Sequence, residues 1–135
     1  MRFEDLYVGM TYAMSKAFSS EEVQAFSQLS MDDNPLHIDD DFAKNGLFGR
    51  KIVHGFLSAS LFSAIIGTKM PGEGSVYLSQ NMKFYKPVYH NQIVTAYVTV
   101  KELYPNKRRV LLQTECKDEY GNVLIDGDAL VKIPK

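Results

Sequence analysis

With 135 residues, 45% of them hydrophobic and 12% aromatic, the chain has the size and apolar content expected of one domain spanning 1–135 with one continuous core. Its 15 basic residues are balanced by 16 acidic ones for a net charge of -1, which excludes the cationic excess that nucleic acid or an anionic membrane demands of a partner. A single cysteine, Cys116, cannot close an internal disulfide, no apolar run is long enough to cross a bilayer, and the opening residues lack an apolar export signal, so a reducing, cytoplasmic setting is expected.

A strand over Thr11 to Ala17 is the first regular element. Ser19 followed by Glu22 has the spacing of a capping box, and Val23, Phe26 and Leu29 recur at three-residue intervals, which predicts a short helix from Ser20 to Leu29. Met31 to Leu36 then sets Asp, Asp, Asn and Pro in succession. These residues bond their own backbone or cannot continue a helix, so an ordered loop follows, and His37 comes directly out of it. A helical turn at Phe42 and Ala43 follows Asp39, and Gly46 to Lys51 reads as a flexible basic connection.

Gly55 to Ile66 reads as a helix closed by Gly67 in the position of a left-handed cap. Only Ser58, Ser60 and Ser63 interrupt its apolar character. A surface helix would show charge over half its circumference, so this one should be buried on most sides. The second half supplies the wrapping: Ser75 to Lys86, Gln92 to Leu103, Arg109 to Lys117 and Val123 to Ile133 have strand composition, separated by turn signals such as Pro105-Asn106-Lys107 and Tyr120-Gly121-Asn122. The expected class is α+β, a curved antiparallel sheet wrapped around one long buried helix, with Thr11 to Ala17 at its edge.

Asp32, Asp33 and His37 crowd carboxylates and an imidazole around a rigid Pro35, residue types that suit an acid/base pair. They equally suit turn formation, helix capping and a packed histidine, and the pattern leaves both readings open. His54 and Gly55 stand at the start of the apolar helix, where free backbone N–H groups and the positive dipole end favour a developing oxyanion. A cap or core contact for His54, and a tight strand-to-helix entry for Gly55, are the alternatives. Ser58 and Ser60 read as bonding back to the preceding turn, while Ser63 falls roughly in line with the helix start. No Gly-x-Ser-x-Gly elbow surrounds them, which counts against a serine hydrolase. A metal site built from Asp32, Asp33, His37 and His54 would lack a helical His-x-x-x-His pair and any Cys ligand, so neither metal nor cofactor is expected. His90 reads as a solvated turn residue and Cys116 as a packed thiol. Lys101, Lys107, Arg108 and Arg109 read as a solvated edge, with the phosphates of a large substrate as the second reading.

The run Leu29-Ser30-Met31-Asp32-Asp33-Asn34-Pro35-Leu36-His37, with Ala43 following, resembles the signature of the MaoC-like, (R)-specific enoyl-CoA hydratases, or hydratase 2 family. The likeness continues in order through Ile52-Val53-His54-Gly55, Ser60 to Ser63, Pro71-Gly72, Gly74 to Leu78 and Phe84 to Val88, and is similar above all to the small bacterial enzymes that feed polyhydroxyalkanoate synthesis. The resemblance implies a hot-dog fold and an acyl-CoA substrate, a trans-2-enoyl-CoA hydrated reversibly to the (R)-3-hydroxyacyl-CoA. It implies that Asp32 and His37 are the catalytic pair and that the Gly55 N–H binds the thioester carbonyl. It further implies that Ser63 supports the pocket or the histidine and that His54 and Asn34 complete the substrate-binding set. It also implies a homodimer with sites near the subunit interface. The family usually has Gly where Met31 stands, a departure expected to tilt the loop or narrow the site. Two other functions fit the fold: a hot-dog acyl-CoA thioesterase and a non-catalytic acyl-CoA-binding module.

Overall fold

A computed structural model describes residues 1–135. Strand β1, Thr11–Ala17, leads into helix α1, Ser20–Ser30, whose capping box forms as the spacing predicts: the Ser19 hydroxyl accepts from the Glu22 N–H, and the Glu22 carboxylate accepts from the Ser19 N–H. Val23 and Ser27 form the buried face of α1. Leu29 points to solvent, because a three-residue spacing drifts around a helix with 3.6 residues per turn. The expected loop is shorter than its composition suggests. Pro35 occupies the first turn of a short helix α2, Pro35–Ile38, where its missing N–H costs nothing, and Asp39 caps the next, α3, Asp40–Lys44.

Helix α4, Gly55–Thr68, buries Ser58, Ala59, Leu61, Phe62, Ile65 and Ile66. It packs chiefly on strand β3, Ile93–Tyr104, and more lightly on β1 and on strand β4, Arg109–Asp118. Gly67 lies within this helix and is not its left-handed cap; the helix ends one residue later. Nor is α4 covered on all sides. Phe56, Ser60, Ser63 and Gly67, spaced by three and four residues, form one exposed stripe.

Strands β2, Val76–Phe84, and β5, Val123–Lys132, complete an antiparallel sheet in the order β1-β3-β4-β5-β2, so the first two strands form its edges. The expected boundaries hold to within about two residues, the usual fraying distance. On β3 and β4 alternate residues turn to the core, Val94, Ala96, Val98 and Val100 on one and Val110, Leu112, Thr114 and Cys116 on the other. All of them but Thr114 join Phe62, Ile65 and Ile66 of α4 in a single cluster, where each large side chain contributes about 1.5–3 kcal/mol by leaving water. Cys116 is a packed thiol, as expected, and burial pushes its pKa up to about 12. β2 and β5 approach so closely that a Cβ on Gly127 would stand 1.9 Å from the Asn81 carbonyl oxygen.

Candidate active site

Three chain segments meet beside the start of α4. The first is the turn after α1, where Met31 adopts a left-handed conformation, φ 66°, as the C-terminal cap of that helix. Asp32 follows, held by its own Oδ1, which accepts from the Asn34 N–H at 3.3 Å. Next is α2, which carries the buried His37. Its Nδ1 lies 3.0 Å from the Ile52 carbonyl, an acceptor only, so Nδ1 bears the proton and Nε2 is left with a free lone pair. The third segment, Ile52 to His54, is fixed against the chain after β2, with the Val53 N–H donating to the Val88 carbonyl at 2.7 Å. His54, at the N-cap of α4, places Nε2 3.0 Å from the Asp32 carbonyl and 3.1 Å from the Ser27 hydroxyl.

The His37 and His54 rings stack with centroids 3.8 Å apart, and Phe26 meets His54 edge-on. Ligating atoms of Asp32, His37 and His54 all lie within 4.8 Å of one another. Burial pushes the His37 pKa below its ordinary value, with His54 acting in the same direction, while the Ile52 hydrogen bond and the Asp32 charge pull it up. The site therefore offers a neutral imidazole with an unencumbered Nε2 beside an exposed carboxylate, two acceptors that can hold and deprotonate one water. The same atoms are spaced to meet one divalent ion. The two rings, however, lie only 25° from parallel, so their in-plane lone pairs do not converge as a chelate requires.

A cavity of about 380 Å³ opens onto this group and is lined by Asp32, His37, His54, Gly55, Phe56 and Ser58, with Phe84 to Val88 and Ile125 opposite. The N–H groups of Gly55 and Phe56 have no acceptor in the protein, as the first turn of a 14-residue helix dictates. At Gly55 a Cβ would lie 2.6 Å from a ring carbon of Phe84, so the glycine answers to close packing at the strand-to-helix entry.

Four residues differ from expectation. Ser63 is exposed and does not line the cavity: eight positions beyond Gly55 it has rotated roughly 80° around the helix, whereas Ser58, three positions on, keeps to the Gly55 side. Asn34 is also exposed, and its side chain is spent on capping α2, accepting from the Leu36 N–H at 3.1 Å. Met31 does not narrow the cavity, since its side chain is 86% exposed and lies outside the lining. His90 is partly buried and not solvated, with Nδ1 2.9 Å from the Ser20 hydroxyl; burial, then the Lys51 charge, lowers its pKa.

Lys101 and Lys107 are exposed, in line with the solvated-edge reading, whereas Arg108 and Arg109 are half-buried and the Arg109 Nε is enclosed without a partner. Lys101 pairs with Asp128 and Arg108 with Glu4, and Arg109 begins β4 at the end remote from Cys116, whose partner Ile125 lines the cavity. One residue of the site, Ser27, went unread in the sequence, and another, Ser58, departs from the expected bond to its preceding turn. Ser27 is a polar residue four positions after Val23 on an apolar stripe, a visible signal, while Ser58 does not bond back to its helix as Ser60 does.

Residues 8–120 match the family described as MaoC like domain. The chain is 44% identical over 134 residues to an (R)-specific enoyl-CoA hydratase of Aeromonas caviae, covering 99% of this chain and 100% of that one. It is 45% identical over 135 residues to a 3-hydroxybutyryl-CoA dehydratase of Methylorubrum extorquens, covering 98% and 84%. Among solved structures, an A. caviae (R)-hydratase involved in PHA biosynthesis superposes with a TM-score of 0.94 at 44% identity, over 97% of this chain and 99% of that one. The unliganded (R)-hydratase of Pseudomonas aeruginosa gives 0.93 at 33% identity, over 99% and 86%.

Proposed function

Because the chain belongs to the MaoC-like domain family, we infer that it is an (R)-specific enoyl-CoA hydratase acting reversibly as a 3-hydroxyacyl-CoA dehydratase, on the hot-dog fold of those relatives. The observation that carries this reading is the convergence of the Asp32 carboxylate and the free Nε2 of His37 beside the unoccupied N–H groups at the start of α4. Asp32 and His37 hold one water against C3 of a trans-2-enoyl-CoA. As its oxygen bonds to C3 the pair takes one proton, and it returns a proton to C2 on the same face, so the elements of water add syn. The electron pair of the double bond moves toward the thioester oxygen, where the Gly55 N–H and the positive end of α4 stabilise the enolate-like charge. His54 keeps the Asp32 backbone in place and closes one side of the cavity.

The thioesterase and non-catalytic alternatives are not favoured, since the relatives that cover the chain are named as hydratases and dehydratases. In this reading the protein is a cytoplasmic homodimer that supplies (R)-3-hydroxyacyl-CoA to polyhydroxyalkanoate synthesis. No helix is long and apolar enough to cross a membrane. Support for the dimer comes from the open stripe of α4 and from the edge strand β2, which leaves Val76, Leu78 and Phe84 exposed, apolar surface that a lone chain would present to water. The test of the site is Asp32→Asn and His37→Ala in purified protein. Acyl-CoA binding should persist while hydration is lost; turnover that survives both changes rules the pair out.

A further inference from the structure

Ser58 is 1% exposed, and its hydroxyl has no hydrogen-bond partner. A serine on a buried helix ordinarily returns its O–H to the carbonyl four residues back, as Ser30 does to Phe26 and Thr68 to Ala64. For Ser58 that carbonyl is His54, and it already accepts from the N–H groups of both Leu57 and Ser58, each at 3.1 Å. Both lone pairs are engaged, so that carbonyl has none left for the hydroxyl. Side chains on a helix lean toward its N-terminus, which carries the Ser58 hydroxyl back over the first turn of α4 on the side of Gly55, three residues earlier. Both residues line the same cavity with Asp32 and His37.

We propose that the Ser58 hydroxyl is a substrate-binding donor that joins the Gly55 N–H on the thioester oxygen of the acyl-CoA. The proposal rests on the hydratase reading of the site. A second buried group without a partner belongs to the N-cap of the same helix, His54 Nδ1, with Nε2 tied to the Asp32 carbonyl. A thioester oxygen only accepts, and of the two groups the hydroxyl is the one that always has a proton to give. Two donors of different origin on one oxygen make the usual apparatus for a growing negative charge. The absence of an internal partner also explains why the hydroxyl is kept at a cost to stability: a buried polar group left unpaired in the free protein destabilises it, and substrate supplies the partner.

The test compares wild type, Ser58→Ala, Ser58→Cys and Ser58→Thr. With crotonyl-CoA as substrate, Ser58→Ala is expected to lose about 100-fold in kcat, the usual effect of deleting one oxyanion donor, and Ser58→Cys nearly as much, while Ser58→Thr, which keeps the hydroxyl, recovers most of the loss. Binding provides an independent readout. Affinity for butyryl-CoA should fall about 3–10-fold in Ser58→Ala, while affinity for its thioether analogue S-butyl-CoA, which has no carbonyl oxygen, stays unchanged. The melting temperature of ligand-free Ser58→Ala should rise by about 2–5 °C. Equal turnover in Ser58→Ala and wild type, or equal losses of affinity for thioester and thioether, overturns the role of Ser58 and leaves the hydratase reading standing. Wild-type protein that fails to hydrate crotonyl-CoA overturns the reading on which the proposal rests.

Discussion

The imidazole rings of His37 and His54 stack 3.8 Å apart, and each is tied by one nitrogen to a backbone carbonyl, that of Ile52 for His37 and that of Asp32 for His54. The second tie matters most. It joins the residue at the start of α4 to the backbone of the carboxylate, so Asp32, His37 and the first turn of α4 are held together although they come from three chain segments. Burial holds the His37 pKa below its ordinary 6.5, and the neighbouring His54 acts in the same direction.

The first prediction concerns pH. Because the His37 pKa is lowered on folding, its basic form persists below pH 6.5, and the acid limb of kcat/KM is expected below that value. Replacing His54 with Gln keeps a donor for the Asp32 carbonyl and removes the neighbouring charge, so the limb should move up. Stability follows the same sign. His37 and His90 are both harder to protonate folded than unfolded, so their contribution is complete above about pH 6.5 and is lost as pH falls through the folded values. Melting temperatures recorded from pH 8 to pH 5 should decline below about 6.5; a flat or rising profile contradicts the assignment.

Catalysis by a pair makes the two partners non-additive. Asp32→Asn and His37→Ala should each reduce kcat by about two to four orders of magnitude, and the double variant should be about as slow as the worse single one. Stopped assays on all three variants check this, and strictly multiplicative losses would show that the two groups act in separate steps.

Met31 sits where a left-handed residue ends α1, with φ 66° and its side chain in solvent. Non-glycine residues pay for that conformation through a clash of Cβ with the next carbonyl, so Met31→Gly is expected to stabilise the fold by about 0.5–1 kcal/mol. Activity should be retained, since the side chain is outside the cavity. Urea unfolding and the hydration rate test both halves of this statement.

Gly127→Ala should be among the most damaging small substitutions. Its Cβ would overlap the Asn81 carbonyl at 1.9 Å, and the backbone of a paired strand cannot step aside as a flexible side chain would. A loss of about 3 kcal/mol is expected in denaturant titration, with weakened pairing of β2 and β5. At Gly55 the obstacle is the half-exposed Phe84 ring, so Gly55→Ala should cost less stability and more activity, because it is the aligned N–H that shifts.

The course of the chain was largely legible because it rests on local rules. Ser19 and Glu22 marked a helix start, alternation marked β3 and β4, and an apolar run without charge marked α4. The site was legible where its chemistry is compact in sequence, at Asp32, His37, His54 and Gly55. It was not legible where it depends on rotation around a helix or on distant contacts. Ser63 and Ser58 differ by a fraction of a turn, and only the packed helix separates the exposed hydroxyl from the buried one. Ser27 reaches His54 across 27 residues of chain. Asn34 belongs to the motif, yet its side chain folds back to cap its own short helix, a distinction no spacing reveals. Met31 looked like a disturbance of the site, and it is a strained helix end.

The most direct test of the account is the product formed from crotonyl-CoA. Purified protein should remove the absorbance of the conjugated thioester without releasing free thiol, and chiral analysis of the product should give (R)-3-hydroxybutyryl-CoA. Release of CoA thiol at the same rate as substrate loss, or a product of (S) configuration, would contradict it.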